Sequence, residues 1–255
     1  MPFKRCIPNE LRLASGESKR DFSTLSLVKQ SAFSTRVSGF QKIPLPKPGD
    51  WLSERKEDGQ SVNSFNRRSV KNWIRDVDKD EILLQPIGQY DEDVDAPALT
   101  SLAQFLSCFL QCKVHIASTV PIESVNKTGF VYNRTSMTYQ LLCSDAFDFL
   151  LSRTYRKSIS RHTVAVVAVT MQDITPGEEW NYVFGQARPF DGVGIFSFAR
   201  YHPHFYNGDT ADIKLSDIQK GAILQKACKT LAHETGHIVG MKHCIYYHCL
   251  MNGSN

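Results

Sequence analysis

The feature that most constrains the fold is the segment HETGHIVGMKH, residues 233–243. His233 and His237 are four residues apart, so on an α-helix their imidazoles project from one face about one turn apart. Five residues recur at helical spacing between 217 and 239 and mark the buried face of such a helix: Ile223, Ala227, Leu231, Thr235 and Ile238. The chain is therefore expected to pack a long helix that presents both histidines at one site.

The same segment predicts zinc chemistry. Glu234 is rotated by about 100° from His233 on the helix, so it is placed to reach a water on the metal rather than to bind the metal. Gly240 can adopt a left-handed conformation that ends the helix and returns His243 as a third ligand. Three neutral imidazoles leave a fourth position for water, which is typical of a catalytic zinc. We predict that His233, His237 and His243 bind zinc and that Glu234 is the general base for the zinc-bound water.

Two cysteines follow His243 in C-x4-C spacing, Cys244 and Cys249. They are either buried thiols or half of a second zinc site, which would need two more ligands to close a tetrahedron. Cys108 and Cys112 are four residues apart on a different amphipathic stretch, and we expect them to be core thiols.

The rest of the chain predicts an α/β fold. EILLQPI (81–87), KVHIAS (113–118), WNYVFGQ (180–186) and GVGIFSFARY (192–201) are strand-like, and TVAVVAVT (163–170) is a β-branched run typical of a central strand. Between 96 and 111, one apolar stripe predicts a helix: Leu99, Leu102, Phe105, Leu106 and Phe109. Strands that alternate with helices favour a mixed sheet. We predict three ranges: an N-terminal arm (1–78), a main subdomain (79–239) and a short C-terminal subdomain (240–255).

At these residues the sequence resembles the archaemetzincins, a family of metzincin zinc metallopeptidases whose motif reads HExxHxxGxxHC, then C-x4-C, then x-Met. KIPLPKPGDW, FGQ, DGVGIFSFARY and ACKTLAHETGH extend the resemblance upstream, toward the archaemetzincin-2 branch. The resemblance implies a metzincin-like mixed sheet with a backing helix and an active-site helix. It also implies that Met251 is the Met-turn residue under the metal ligands; an ordinary buried or terminal methionine is the alternative.

The resemblance further implies that Cys244 and Cys249 belong to a four-cysteine structural zinc site completed by a downstream C-x-x-C pair. The sequence ends at Asn255, before such a pair. We therefore expect an incomplete C-terminal subdomain and a partial second site. The resemblance also implies that GVGIFSFARY forms the upper rim of the cleft, where an extended peptide could add as a further strand.

Composition and charge exclude other classes of protein. The net charge is only +4, and no block of Lys and Arg is interleaved with aromatic residues, which argues against a nucleic-acid surface. No run approaches the about 20 apolar residues of a membrane helix, and the first 25 residues lack an apolar signal core. With an odd count of 7 cysteines, these features favour the cytosol or nucleus, with cysteines that are free thiols and metal ligands. We expect a monomer that acts on peptide or protein substrates.

Two functions are compatible with the sequence. The first is a zinc metallopeptidase that hydrolyses peptide bonds through a zinc-bound water and Glu234. The second is a catalytically weak or inactive zinc-binding protein that recognises a partner, because catalytic geometry must be held within about 0.5 Å and a missing C-terminal lobe would leave the loop unsupported.

Overall fold

A computed structural model describes residues 41–61, 64–65, 80–177, 179–207 and 215–253. These residues divide into two compact units. The larger unit lies within Trp73–Val239, and the smaller one is made of the described residues of Met1–Asn72 and Gly240–Asn255. Most of the predicted N-terminal arm lies outside the described residues, and the three predicted domain ranges stay predictions.

The larger unit contains eight strands in its described residues: β1 (Glu81–Ile87), β2 (Lys113–Ile116), β3 (Val131–Asn133), β4 (Thr138–Leu142), β5 (Thr163–Thr170), β6 (Ile174–Thr175), β7 (Gly185–Arg188) and β8 (Val193–Ser197). Five of them form one sheet in the order β2-β1-β5-β8-β7. The first four strands are parallel, and β7 runs antiparallel to β8. A smaller sheet has the order β3-β4-β6. The predicted α/β fold with a mixed sheet is confirmed.

Strand β5 is the central strand of the larger sheet, as its sequence predicts. It pairs with β1 on one side and with β8 on the other. Its residues from Ala165 to Thr170 are all buried. A β-branched run fits this position because such side chains pack well on a pleated surface that is covered on both faces.

The helices are α1 (Trp51–Glu54) in the smaller unit and, in the larger unit, α2 (Leu99–Leu110), α3 (Ile122–Val125), α4 (Cys143–Leu151), α5 (Arg153–Ser158) and α6 (Asp217–Ile238). Helix α6 packs against α2, β7 and β8. The predicted pair of long helices, one backing the sheet and one carrying the motif, is therefore present as α2 and α6. None of the described helices is long and apolar enough to cross a membrane.

The buried stripe of α2 is narrower than its sequence predicts. Leu102 and Leu106 are fully buried, but Phe105 and Phe109 are 38% and 46% exposed. The two phenylalanine rings stack on each other instead, with centroids 6.2 Å apart. Phe105 is rotated by about 100° from Leu106, and Phe109 lies in the last turn of the helix. The expectation that Cys108 is a core thiol was also wrong, because Cys108 lies on the exposed side.

The prediction that an extended peptide adds as a further strand to GVGIFSFARY was wrong as well. Within GVGIFSFARY, β8 covers only Val193–Ser197, and it is already paired on both sides, with β5 and with β7. A further strand cannot add to β8, since its backbone groups are used on both edges. Among the described residues the outer strand on this side is β7, which takes in Gly185 and Gln186 of the predicted WNYVFGQ strand.

Candidate metal centre

Helix α6 is specified at both ends. At its start, the Ser216 hydroxyl accepts from the Gln219 amide and the Gln219 side chain accepts from the Ser216 amide, which forms a capping box. At its end, Val239 is the cap residue and Gly240 has a φ of +93°. A residue with a Cβ is strained in that left-handed conformation, so Gly240 ends the helix as the sequence predicts.

The buried face of α6 fixes the direction of its histidines. The five residues expected on that face, Ile223, Ala227, Leu231, Thr235 and Ile238, are all buried. His233 and His237 flank this face and are partly buried. Their Nε2 atoms lie 3.1 Å apart, with ring centroids separated by 4.7 Å and ring planes at 85°.

This spacing fits two nitrogen ligands of one zinc ion. Zinc binds imidazole nitrogen at about 2.0–2.1 Å with tetrahedral angles, which places two such nitrogens about 3.3 Å apart. The donor set also has the right chemistry, because neutral imidazoles suit zinc. The pair is therefore in a ligating geometry within the larger unit.

Glu234 lies between the two histidines in sequence and next to the outer strand β7. A Cβ added to Gly185 would lie 3.2 Å from Glu234 Cγ and 2.3 Å from Phe196 Cδ1. The backbone of β7 thus passes close beside the Glu234 side chain, and only glycine fits there. Burial raises the pKa of the Glu234 carboxyl to about 7.

The loop after β8 forms a further neighbour of α6. The Tyr201 hydroxyl is hydrogen-bonded to the Thr230 hydroxyl, one helical turn before Glu234. The adjacent Arg200 forms a buried bidentate ion pair with Asp173, with N···O distances of 2.8 Å and 2.7 Å. Burial and the nearby Glu234 charge raise the pKa of Tyr201. The short 3₁₀ helix Ala199–Tyr201 therefore contacts α6 one turn before Glu234.

His243 belongs to the smaller unit, where two side chains hold its ring. Its Nδ1 lies 2.7 Å from Oε1 of Glu57. The Trp51 ring meets it edge to face, with centroids 5.4 Å apart. Sequence reasoning found His243 but missed Glu57, which lies in the charged run SERKEDGQ where nothing distinguishes one carboxylate from another.

The turn that carries Met251 is tied to the residue after His243. The Cys244 amide donates to the Met251 carbonyl at 2.7 Å. Asn252 donates from Nδ2 to the carbonyls of Cys244 (2.8 Å) and Tyr247 (2.9 Å) and accepts from the Cys249 amide at 2.8 Å. Met251 itself is buried. Sequence reasoning missed Asn252, whose three bonds close this turn.

Cys244 and Cys249 are brought together within the same turn. A hydrogen bond between the two thiols lowers the pKa of Cys244 and raises that of Cys249. Cys249 is exposed, so the buried-thiol interpretation does not hold for it. Across the ranges that the structure describes, no third His, Cys, Asp or Glu completes a metal-type group with the pair.

A backbone pairing joins the described N-terminal segment to this C-terminal segment. Lys42 and Tyr247 form an antiparallel bridge, and the Ile43 amide donates to the Tyr246 carbonyl at 3.1 Å. Farther along, the Gln60 side chain donates to the Gly240 carbonyl and accepts from the Lys242 amide, both at 2.9 Å. We call residues 41–61 the clamp segment. No sequence pattern predicted this pairing.

Fold and site together define an α/β protein with an HExxH helix of the metal-dependent hydrolase type. No family model matches the chain. The archaemetzincin-2 of Macaca fascicularis is 31% identical over an alignment of 263 residues, gaps included. The alignment covers 95% of this chain and 71% of that protein. The archaemetzincin-2 of Homo sapiens is 32% identical over 244 residues, which cover 88% of this chain and 66% of that protein.

The chain belongs to the archaemetzincin family of zinc metallopeptidases. A similar solved structure is that of a zinc-dependent peptidase from Methanocorpusculum labreanum, 23% identical with a TM-score of 0.48, covering 67% of this chain and 87% of that one. The family resemblance that the motif predicts is confirmed.

Proposed function

We propose that this protein is a zinc-dependent peptidase in which His233, His237 and His243 hold one zinc ion and Glu234 is the general base. The observation that carries the proposal is the 3.1 Å separation of the two Nε2 atoms on α6, with Glu234 on the same turn. Membership of the family supports it. His243 enters through the motif, six residues after His237, and with its Nδ1 engaged by Glu57 it can ligate through Nε2.

Bound zinc supplies a Lewis acid that polarises the scissile carbonyl and acidifies a water molecule. Glu234 would accept the proton of the attacking water and deliver it to the leaving amine. Its neighbour Gly185 keeps the outer strand close without covering the carboxylate with a side chain. Helix α6 holds Glu234 and the two histidines in a fixed relation, since all three lie within two turns of one packed helix.

The substrate class that fits this site is an extended peptide. Strand β7 is the outer strand beside Glu234, and an extended chain can add to such an edge through main-chain hydrogen bonds. We propose that the peptide substrate pairs with β7 rather than with β8. Backbone pairing aligns a peptide without regard to its sequence, so this mode of binding implies no side-chain preference of its own.

Replacement Glu234→Gln tests the general-base role. It keeps the size of the side chain but removes the proton acceptor, so we expect zinc binding to persist while peptide hydrolysis falls about 10²–10⁴-fold, the usual contribution of general acid–base catalysis. Zinc content is measured by atomic absorption, and cleavage by mass spectrometry of a peptide library.

Replacement His237→Ala is the companion variant and should lose the metal together with activity. Hydrolysis that survives in Glu234→Gln would refute the role of Glu234. A wild-type chain that holds one equivalent of zinc yet cleaves nothing in the library would instead support the zinc-binding protein without turnover.

A further inference from the structure

We propose that Glu57 is a positioning residue for the third zinc ligand: its carboxylate fixes the His243 imidazole in the tautomer that leaves Nε2 able to bind metal. This inference rests on the proposed function, in which His243 is a ligand. It assigns a role at the metal centre to a residue of the clamp segment, since Glu57 is 186 residues from His243 in sequence.

The tautomer follows from hydrogen-bond chemistry. Oε1 of Glu57 lies 2.7 Å from Nδ1 of His243, a short distance typical of a charged acceptor. An ionised carboxylate can only accept, so Nδ1 carries the hydrogen of this bond. A neutral imidazole has one N–H, which leaves the lone pair on Nε2. Nε2 is therefore the atom that can ligate.

The Glu57 carboxylate contacts His243, and stabilisation of the fold alone does not explain why it lies there. Its other oxygen, Oε2, is buried and has no hydrogen-bond partner among the described residues. Burying an unsatisfied carboxylate oxygen costs stability, so the placement of Glu57 is not explained by its contribution to folding alone. Contact with His243 is the interaction that this position provides.

Neighbouring groups fix the position of the carboxylate. Two residues later, Gly59 lies against Tyr246, whose hydroxyl would be only 1.8 Å from an added Cβ, so the Tyr246 side chain would have to move to admit a larger residue. Gln60 bonds both the Gly240 carbonyl and the Lys242 amide. On the N-terminal side of Glu57, the Trp51 ring contacts the His243 ring edge to face and would lie 2.5 Å from a Cβ added to Gly253. Glu57 is thus anchored on both sides in sequence.

A carboxylate that accepts from the far nitrogen of a ligating imidazole orients the ring and raises its basicity. Loss of such a partner typically costs about 10–100-fold in metal affinity. We expect Glu57→Ala to weaken zinc binding by about that factor. Glu57→Gln should weaken it less, because the amide oxygen still accepts from Nδ1–H but lacks the charge.

The experiment measures the zinc affinity of the full chain by competition with a chromophoric chelator. Glu54→Gln is the matched control, because Glu54 is an exposed carboxylate in the same segment and the charge change is identical. Glu54→Gln should bind within about twofold of wild type if the loss in Glu57→Ala is specific to the His243 contact. Zinc affinity of Glu57→Ala equal to that of Glu54→Gln would overturn the inference.

A second readout does not depend on zinc. Nitrogen-15 NMR of the metal-free chain should show His243 with its hydrogen on Nδ1, and this preference should be lost in Glu57→Ala. A wild-type His243 with its hydrogen on Nε2 would overturn the inference even if affinities changed. His243→Ala separates the two proposals: unchanged zinc affinity in that variant refutes the ligand role of His243, whereas the NMR result still decides whether Glu57 sets the tautomer.

Discussion

The two halves of the motif are held in different ways. His233 and His237 lie on a helix of 22 residues whose buried face is part of the core. His243 and Met251 lie in a segment without helix or strand that is ordered by individual hydrogen bonds with Asn252, Gln60 and Glu57. One half depends on a cooperative core and the other on a few local bonds. Damage to the first should therefore appear as unfolding, and damage to the second as lost metal affinity.

The largest expected effect on stability is in the helical half. Leu231 is fully buried on α6, two residues before His233. Leu231→Ala removes its side chain from the core and should lower the free energy of unfolding by about 2–5 kcal/mol. Urea denaturation of the metal-free chain measures it. A loss below about 1 kcal/mol would show that α6 does not depend on the core in this way.

The next largest effect is in the half of the motif that follows α6, which contains His243 and Met251 and which we call the segment half. Asn252→Ala removes three hydrogen bonds, each worth about 0.5–1.5 kcal/mol. We expect at least tenfold weaker zinc binding with a smaller change in global unfolding than Leu231→Ala produces. Chelator competition and urea denaturation on the same variant provide the measurements.

Asn252→Asp serves as the control for this prediction, because it keeps the acceptor for the Cys249 amide and loses only the two donated bonds. It should fall between wild type and Asn252→Ala. If Asn252→Ala unfolds as readily as Leu231→Ala, the two halves form one cooperative structure and the contrast fails.

The smallest effect is at Gly240, where α6 ends. Gly240 has a φ of +93°, and a residue with a Cβ costs about 1–2 kcal/mol in left-handed backbone. Gly240→Ala should therefore lower the free energy of unfolding by about that amount and weaken zinc binding slightly. Gly221→Ala is the control, since Gly221 lies in α6 with open space around it and should become slightly more stable. Equal stability of the two variants would contradict the role given to the Gly240 conformation.

Much of the helical half could be predicted from the sequence, because periodicity and local signals specify it. The buried positions of α6, the central place of β5 and the glycine that ends the helix all follow from patterns within about 20 residues. The predicted metal ligands come from the same local spacing. The exposed Phe109 and the inner position of β8 did not follow, since burial and strand order depend on which elements pack together.

Little of the structure of the segment half could be predicted from the sequence. Its order depends on contacts between residues far apart in sequence, such as Gln60 with Gly240 and Glu57 with His243. Single polar residues in a charged run carry no periodic signal. The sequence therefore predicted that His243 would be poorly supported, whereas the structure shows side chains of the clamp segment that hold it.

X-ray absorption at the zinc edge, on a chain loaded with one equivalent of zinc, tests the central claim most directly. Three imidazole ligands should give nitrogen scattering at about 2.0–2.1 Å without a sulfur shell, and the nitrogen count should fall in His243→Ala. A sulfur shell at about 2.3 Å would place the metal on Cys244 and Cys249 and contradict the account.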